Sequence, residues 1–249
     1  MIKPALGFRQ PELPKTWQQL PSGELMLSGL NALLANWWPK FFGYHMLKIG
    51  DLSTQITSDA CPIKHQVGVS FQPSDGVIAD IDDLPFLEHS VDVCLPSHAL
   101  VFSLDPHHVI REASRVLIPN GYMVITGYNP FSAVGINKLL PYRRKRFPWN
   151  ERFFSPNRIK DWLHLMGYEI LADERLLYRS LNGQQSDGFI AQQWQKFASE
   201  HLTSLGSVYV VIAKKRRFPL TPIKPKWQLR PNFKPVNVSS MNSSNKIQK

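Results

Sequence analysis

The sequence predicts an α/β fold, a mostly parallel sheet with helices packed on its faces. Three observations carry this. Seven short strand-like runs are spread from residue 44 to residue 215. Two segments between them repeat apolar residues at helical spacing and carry cap signals at their starts. Hydrophobic residues make up 43% of 249 residues, enough for one sizeable core.

The elements follow in chain order. Residues 1–22 are rich in proline and are expected to wrap the surface or stay loose. In "GELMLSGLNALLANWW" the residues Leu27, Leu30, Leu34, Trp37 and Trp38 recur at helical intervals, and Pro39 ends the run. The Trp pair is read as packing on the main domain rather than as membrane contact, because the polar side carries little charge. The strand-like runs are "YHMLKI", "HQVGVS", "GVIAD", "VDVCLP", "GYMVITGY", "GYEILADERLLY" and "SVYVVIAKK". In "DPHHVIREASRVLI", Val109, Ala113, Val116 and Leu117 share a helix face. Asp105 is placed to cap that helix, with Pro106 in its first turn. "SPNRIKDWLHLMG" is a second helix, with Ser155 as cap and Gly167 as stop. Strands alternating with helices imply the parallel sheet. The division expected is a lead-in at 1–43, an α/β domain at 44–213 and a tail at 214–249.

The formal charge is +10. Residues 214–249 hold ten Lys or Arg and no acid, which leaves 19 basic against 19 acidic residues in the rest. The excess is therefore a property of the tail. Its five prolines and its ending "NVSSMNSSNKIQK" predict disorder. The N-terminal "MIKPALGFRQPELPK" carries proline and charge where a secretory signal has an apolar core, and no run approaches a membrane span. A cytoplasmic protein is the expectation. Cys61 and Cys94 make no disulfide framework, and Cys61 near His65 is too small a set for a metal site, so none is expected.

The stretch "VIADIDDLPFLEHSVDVCLPSHALVFSLDPHHVIREASRVLIPNGYMVITGYNP" resembles the class I, S-adenosylmethionine (SAM)-dependent methyltransferases, in particular their small-molecule "type 11" subgroup with its "ADxxxLPF…D…EhxRVLxPGG" pattern. The matching pieces are Asp80, Leu84 to Phe86, Asp92, Arg111 to Leu117, and Pro119 to Gly121. With the "WWPKFFGYHMLKIG" lead-in and the basic tail, the chain looks like a divergent proteobacterial branch of that group. The resemblance implies a Rossmann-like, seven-stranded sheet whose last strand is antiparallel, and SAM as cofactor.

In such a sheet the ligand lies beyond the carboxyl ends of the strands. The resemblance places Ile49, Gly50 and Asp51 at the first strand's end and Ser70 at the second. Gly50 there lets a backbone approach the cofactor. By the family's pattern Asp80 accepts from the adenine amino group and Ile81 offers an apolar face, the plain alternative for Asp80 being a turn residue. Asp82 and Asp83 are read as solvated turn residues. Leu95 and Ser97 fall near the methionine portion and the transferred methyl. His98 titrates near neutral pH, so it is a candidate for handling the acceptor's proton, with a solvent-facing helix start as the equal alternative. Glu112 and Arg115 are read as a structural pair. Tyr128 and Asn129 are expected to border the acceptor pocket.

The chain also departs from the family. The first motif, D-x-G-x-G-x-G, becomes Lys48-Ile49-Gly50-Asp51-Leu52-Ser53-Thr54. Lys48 has the wrong sign for holding a cationic amino group, and Leu52 and Thr54 replace glycines. Ser70 stands where a ribose-binding acid is usual. Only Phe71 to Gly76 separate the second and third strands, too few for a crossover helix. The leading expectation is thus a SAM-dependent methyltransferase acting on a small molecule under the lead-in helix and residues 131–154. One alternative is a degenerate relative that binds a partner. The other is RNA or anionic-surface association through Arg143, Arg144, Lys145, Arg146 and the tail.

Overall fold

The computed structural model describes residues 13–71, 76–139, 147–179, 181 and 203–216. Seven strands form one sheet: β1 His45–Ile49, β2 His65–Ser70, β3 Val77–Ile78, β4 Val91–Pro96, β5 Leu117–Tyr128, β6 Tyr168–Leu176 and β7 Val208–Lys215. Their order is β3-β2-β1-β4-β5-β7-β6. β1 to β5 pair in parallel, and β7 runs antiparallel to both β5 and β6. All seven strand-like runs of the sequence lie in this sheet. The helices are α1 Gly23–Ala35, α2 Asp51–Thr54, α3 Ala99–Phe102, α4 Pro106–Val116, α5 Ala133–Leu139 and α6 Pro156–Leu165.

β1, β4, β5 and β7 are largely apolar on both faces because both are covered. On β1, Leu47 and Ile49 join one core layer with Val109, Ala113, Val116, Ile159 and Leu163 from α4 and α6. Met46 joins the other layer, with Met26, Leu30 and Leu34 of α1 and with Trp38 and Phe41. The helix starts are held as their sequences direct: Asp105 Oδ1 accepts from His108 N–H at 3.1 Å, and Ser155 Oγ from Arg158 N–H at 3.3 Å.

Several of the motif residues serve this scaffold. Asp92 Oδ2 accepts the N–H groups of Tyr44 and His45 at 2.8 and 2.9 Å and so aligns the start of β1. A Cβ on Gly121 would lie 2.8 Å from the Asp92 carbonyl oxygen, which is why the "PNG" stretch of β5 ends in glycine. Arg115 donates to the carbonyls of Leu84 and Phe86, both at 2.9 Å, while its guanidinium holds Glu112. The pair ties α4 to the "LPF" loop.

The short connection before the third strand goes with a β3 of only two residues, which still pairs in parallel with β2. Two readings need correction. The proline-rich lead-in is not loose from Leu13 onward: Trp17 is wholly buried in the core layer beneath α1. β7 extends through Lys215, so the sheet takes in two residues assigned to the tail. Lys215 Nζ donates to the carbonyls of Ser114 and Leu117, and Arg216 pairs with Glu169. The cluster Arg143 to Arg146 and the tail from residue 217 lie outside the described residues. Among the described residues, no helix is long and apolar enough to cross a membrane.

Candidate cofactor cleft

The cleft opens beyond the carboxyl ends of β1, β2 and β4, the edge at which an open α/β sheet binds ligands. It has two adjoining parts that share Leu13, Phe71, Ile81 and Phe102. The inner part is a slit beside Gly50, Asp51, Leu52, Ser70 and Ser97, with a cavity volume of about 20 Å³. That is room for about one water. The outer part, reached by Asp80, Asp82, Ser103 and Leu104, has a cavity volume of about 360 Å³, within the range of small-molecule sites.

Gly50 has φ +87 and ψ 154, a conformation that L side chains avoid. A Cβ built there meets only Ala99 Cβ, at 3.8 Å, so the glycine leaves open space. Ser53 locks the turn behind it. Its Oγ donates to Ile49 O at 2.5 Å and accepts from Ser97 N–H at 2.9 Å, joining the end of β1 to the end of β4.

The cleft's charge is of one sign. Asp51, Asp80 and Asp82 line it, and among the described lining residues there is no Lys, Arg or His. The exposed Asp80 accepts from Asp82 N–H at 2.9 Å, which shapes the turn. Asp82 is half-buried and accepts from Ser103 Oγ at 3.1 Å. Burial pushes its carboxyl up to about 6 despite that hydrogen bond, with Asp80 adding to the rise. Asp82 is therefore part of the cleft wall rather than a solvated turn residue.

Lys48 resolves differently from its reading as a charge facing the cofactor. It alternates with Leu47 and Ile49 on β1 and turns into the opposite layer, 9% exposed. There its Nζ donates to Ile56 O at 2.9 Å. Burial holds its ammonium below the usual lysine range, partly offset by Asp59. The lysine fastens the segment after α2 and leaves the cleft's negative sign intact.

The remaining predicted residues divide. Ser70 and Ser97 line the slit, and Ile81 lines both parts. Ile49 and Leu95 are buried strand residues of the two core layers and do not line either part. His98 is wholly buried, so it does not face solvent as a helix-start residue would. It sits between the rings of Trp17 and Tyr128. Asn129 is committed to the loop before β7: its Nδ2 donates to Ser204 O and Gly206 O at 2.9 and 3.0 Å.

Sequence reading missed Leu13, Pro14 and Trp17 because a proline-rich stretch has no periodicity to read. It missed Thr126, which holds Ser97 and His98 together, because nothing local marks it. Phe102 and Ser103 had a signal, being the continuation of the "LPSH" loop.

The comparisons with known proteins agree with this geometry. The family model described as "Methyltransferase domain" matches residues 39–125. The chain is 41% identical over 221 residues to the uncharacterized protein YafS of Escherichia coli (strain K12), covering 88% of each chain. The chain belongs to one family with that protein. Its fold is shared with a SAM-dependent methyltransferase of Thermotoga maritima, at TM-score 0.55 and 19% identity, covering 77% of this chain and 92% of that one. A SAM-dependent methyltransferase of Mesorhizobium loti aligns at TM-score 0.52 and 15% identity, covering 76% and 99%. The [4+2]-cyclase SpnF aligns at TM-score 0.53 and 19% identity, covering 81% and 83%.

The residues present can be tested against SAM, the cofactor that the resemblance of the sequence implies. The outer part, at about 360 Å³, has the volume for an adenosine-sized group, and Phe71, Ile81 and Phe102 are in its wall. The three carboxylates suit a ligand with a sulfonium and an ammonium. Gly50 leaves room for close backbone approach. The chemistry of the lining suits the group, while the slit beside Gly50, Asp51 and Ser70, closed down by Leu13 and Pro14, has room for about one water.

Proposed function

We propose that the protein is an active SAM-dependent methyltransferase whose acceptor is a small molecule. The observation that carries the reading is the cleft at the carboxyl edge of the sheet, lined by three aspartates and no described basic side chain. Asp80 and Ile81 would hold the adenine end, Ser70 a ribose hydroxyl, and Asp51 the ammonium. Bound there, SAM supplies an electrophilic methyl group. The chain's own part is to orient the acceptor and exclude water from the slit. The lead-in provides the cover, since Leu13 and Pro14 already roof the inner part.

A second reading is a member that retains the fold and binds a partner without transferring methyl. The narrow slit and the buried Leu52 in its wall favour it. SpnF, a cyclase by its description, illustrates that this fold alone does not fix the reaction.

Calorimetric titration with SAM and S-adenosylhomocysteine separates the two. The enzyme reading predicts one saturable site, weakened about tenfold by Asp51→Asn as a charge-assisted contact is lost. Absence of binding at millimolar ligand sinks it and leaves the partner-binding reading.

A further inference from the structure

Beside the cleft lies a second constellation. His98 stands at the start of α3 with φ +55 and ψ 2, a left-handed conformation unusual for a residue other than glycine. Its N–H reaches Thr126 O at 3.1 Å and Thr126 Oγ1 at 3.2 Å. Its Nδ1 is 2.8 Å from the same hydroxyl, which in turn is 2.7 Å from Ser97 Oγ. The backbone and one ring nitrogen are thus engaged, while among the described residues Nε2 is buried without a hydrogen-bond partner. The Oη of Tyr128, whose ring centroid is 4.8 Å from that of His98, is also buried and partnerless.

Two orphaned polar atoms and a left-handed histidine in one ring cluster are costly for folding alone. Such features gather where a ligand completes the hydrogen bonds. The surroundings define the ligand. Phe153 packs on Tyr128 at 5.0 Å between ring centroids. Trp17 from the lead-in packs edge-on against His98 at 5.2 Å. No ionic group makes a hydrogen bond to His98 or Tyr128 among the described residues, and burial keeps both neutral near pH 7, the imidazole pushed down to about 3 and the phenol pushed up. A neutral, flat, mainly apolar molecule suits such walls, and Trp17's indole is an occupant of that kind. Trp17 has few polar ties: Nε1 donates to Leu52 O at 2.9 Å and its backbone N–H to Gln55 Oε1 at 3.4 Å. Leu13 and Pro14, a few residues before it, roof the slit, and Ser97, adjacent to His98, lines the slit.

We propose that Trp17 gates an acceptor site anchored by His98 Nε2 and Tyr128 Oη, and that its ligand is a neutral aromatic alcohol or amine. Its role as the acceptor site rests on the methyl-transfer reading; the aromatic site itself does not. When Trp17 withdraws, the ligand's ring takes the indole's place and its hydroxyl or amino group meets the two orphaned atoms. The lead-in then governs access to both sites, because the same short segment covers the slit and His98.

The test uses the full chain. Trp17→Ala opens the site, and indole and phenol are the probes, followed by calorimetry and by ¹⁵N-histidine NMR of the His98 Nε2 resonance. One saturable site for indole is expected, at least about tenfold weaker in the wild type, where the indole of Trp17 competes for it, and phenol should shift Nε2 in both proteins. Adding His98→Phe or Tyr128→Phe should weaken phenol about tenfold, the loss of one buried hydrogen bond. Phenol binding that ignores both substitutions overturns the proposal, because the hole is then merely apolar. So does an unmoved Nε2 resonance. If Trp17→Ala does not fold, Trp17→Leu replaces it; if neither folds, wild-type protein is titrated with phenol by the same NMR measurement and judged by the same Nε2 criterion. S-adenosylhomocysteine is titrated in parallel. Its failure alongside His98-dependent phenol binding removes the methyl-transfer reading and leaves the aromatic site. The converse removes the aromatic site alone.

Discussion

The two halves of the sheet follow different rules. From β4 outward, β4, β5 and β7 are largely buried on both faces, β6 is the partly exposed edge, and the motif residues there brace the scaffold: Asp92 aligns β1, Gly121 clears Asp92, and Arg115 ties α4 to a loop. From β1 outward through β2 to the two-residue β3, the strands grow less buried, and the cleft lies at the ends of β1, β2 and the adjoining β4. The departures from the family fall in this second half. The comparison teaches that the apparent damage is uneven. Lys48 turned away from the cleft into a core layer, whereas Leu52 remained in the wall and narrows it.

The largest effects should come from paired core truncations. Ile125→Ala in β5 and Leu52→Ala in α2 each remove a buried side chain and should each lower stability by about 2–5 kcal/mol in urea denaturation. Their ligand binding should diverge. Leu52→Ala widens the slit and tightens S-adenosylhomocysteine, while Ile125→Ala leaves affinity as it was. Equal affinities in the two variants would break the contrast between halves.

Gly50→Ala comes next. Its left-handed backbone should make alanine unfavourable by about 1–3 kcal/mol. Its Cβ would enter the space left for the ligand, so affinity should fall in calorimetry more than the stability loss explains. Lys48→Met should change stability by about 1 kcal/mol in either direction, exchanging a desolvated ammonium for an unpaired Ile56 carbonyl. Its ligand affinity should not move. A large gain in affinity would mean that the lysine reaches the cleft after all.

A further contrast is in the pH dependence of stability. The Asp82 carboxyl, pushed up to about 6, holds its proton more tightly folded than unfolded. Stability from this group is therefore present at low pH and lost as pH rises from about 4 to about 6. His98, pushed down to about 3, acts oppositely and loses stability as pH falls from about 6.5. Thermal melts across this window should show Asp82→Asn relatively more stable than the wild type at pH 7 than at pH 4.

The sequence made the scaffold legible and the site only in outline. The seven strands and the Asp105 and Ser155 caps could be read because burial imposes a period and caps need particular side chains. Lys48 was misread although strand alternation with Leu47 and Ile49 carries the answer, since the family position suggested a role before the face was considered. Trp17 could not be read at all. Its place depends on how a non-periodic segment folds back over residues far along the chain, and no local pattern encodes that.

The central claim is that the cleft still accepts the methyl donor. Titrating wild type and Gly50→Ala with S-adenosylhomocysteine tests it most directly. One saturable site in the wild type, strongly weakened in the variant, is the result expected. No heat at millimolar ligand, or equal binding by both proteins, would contradict it.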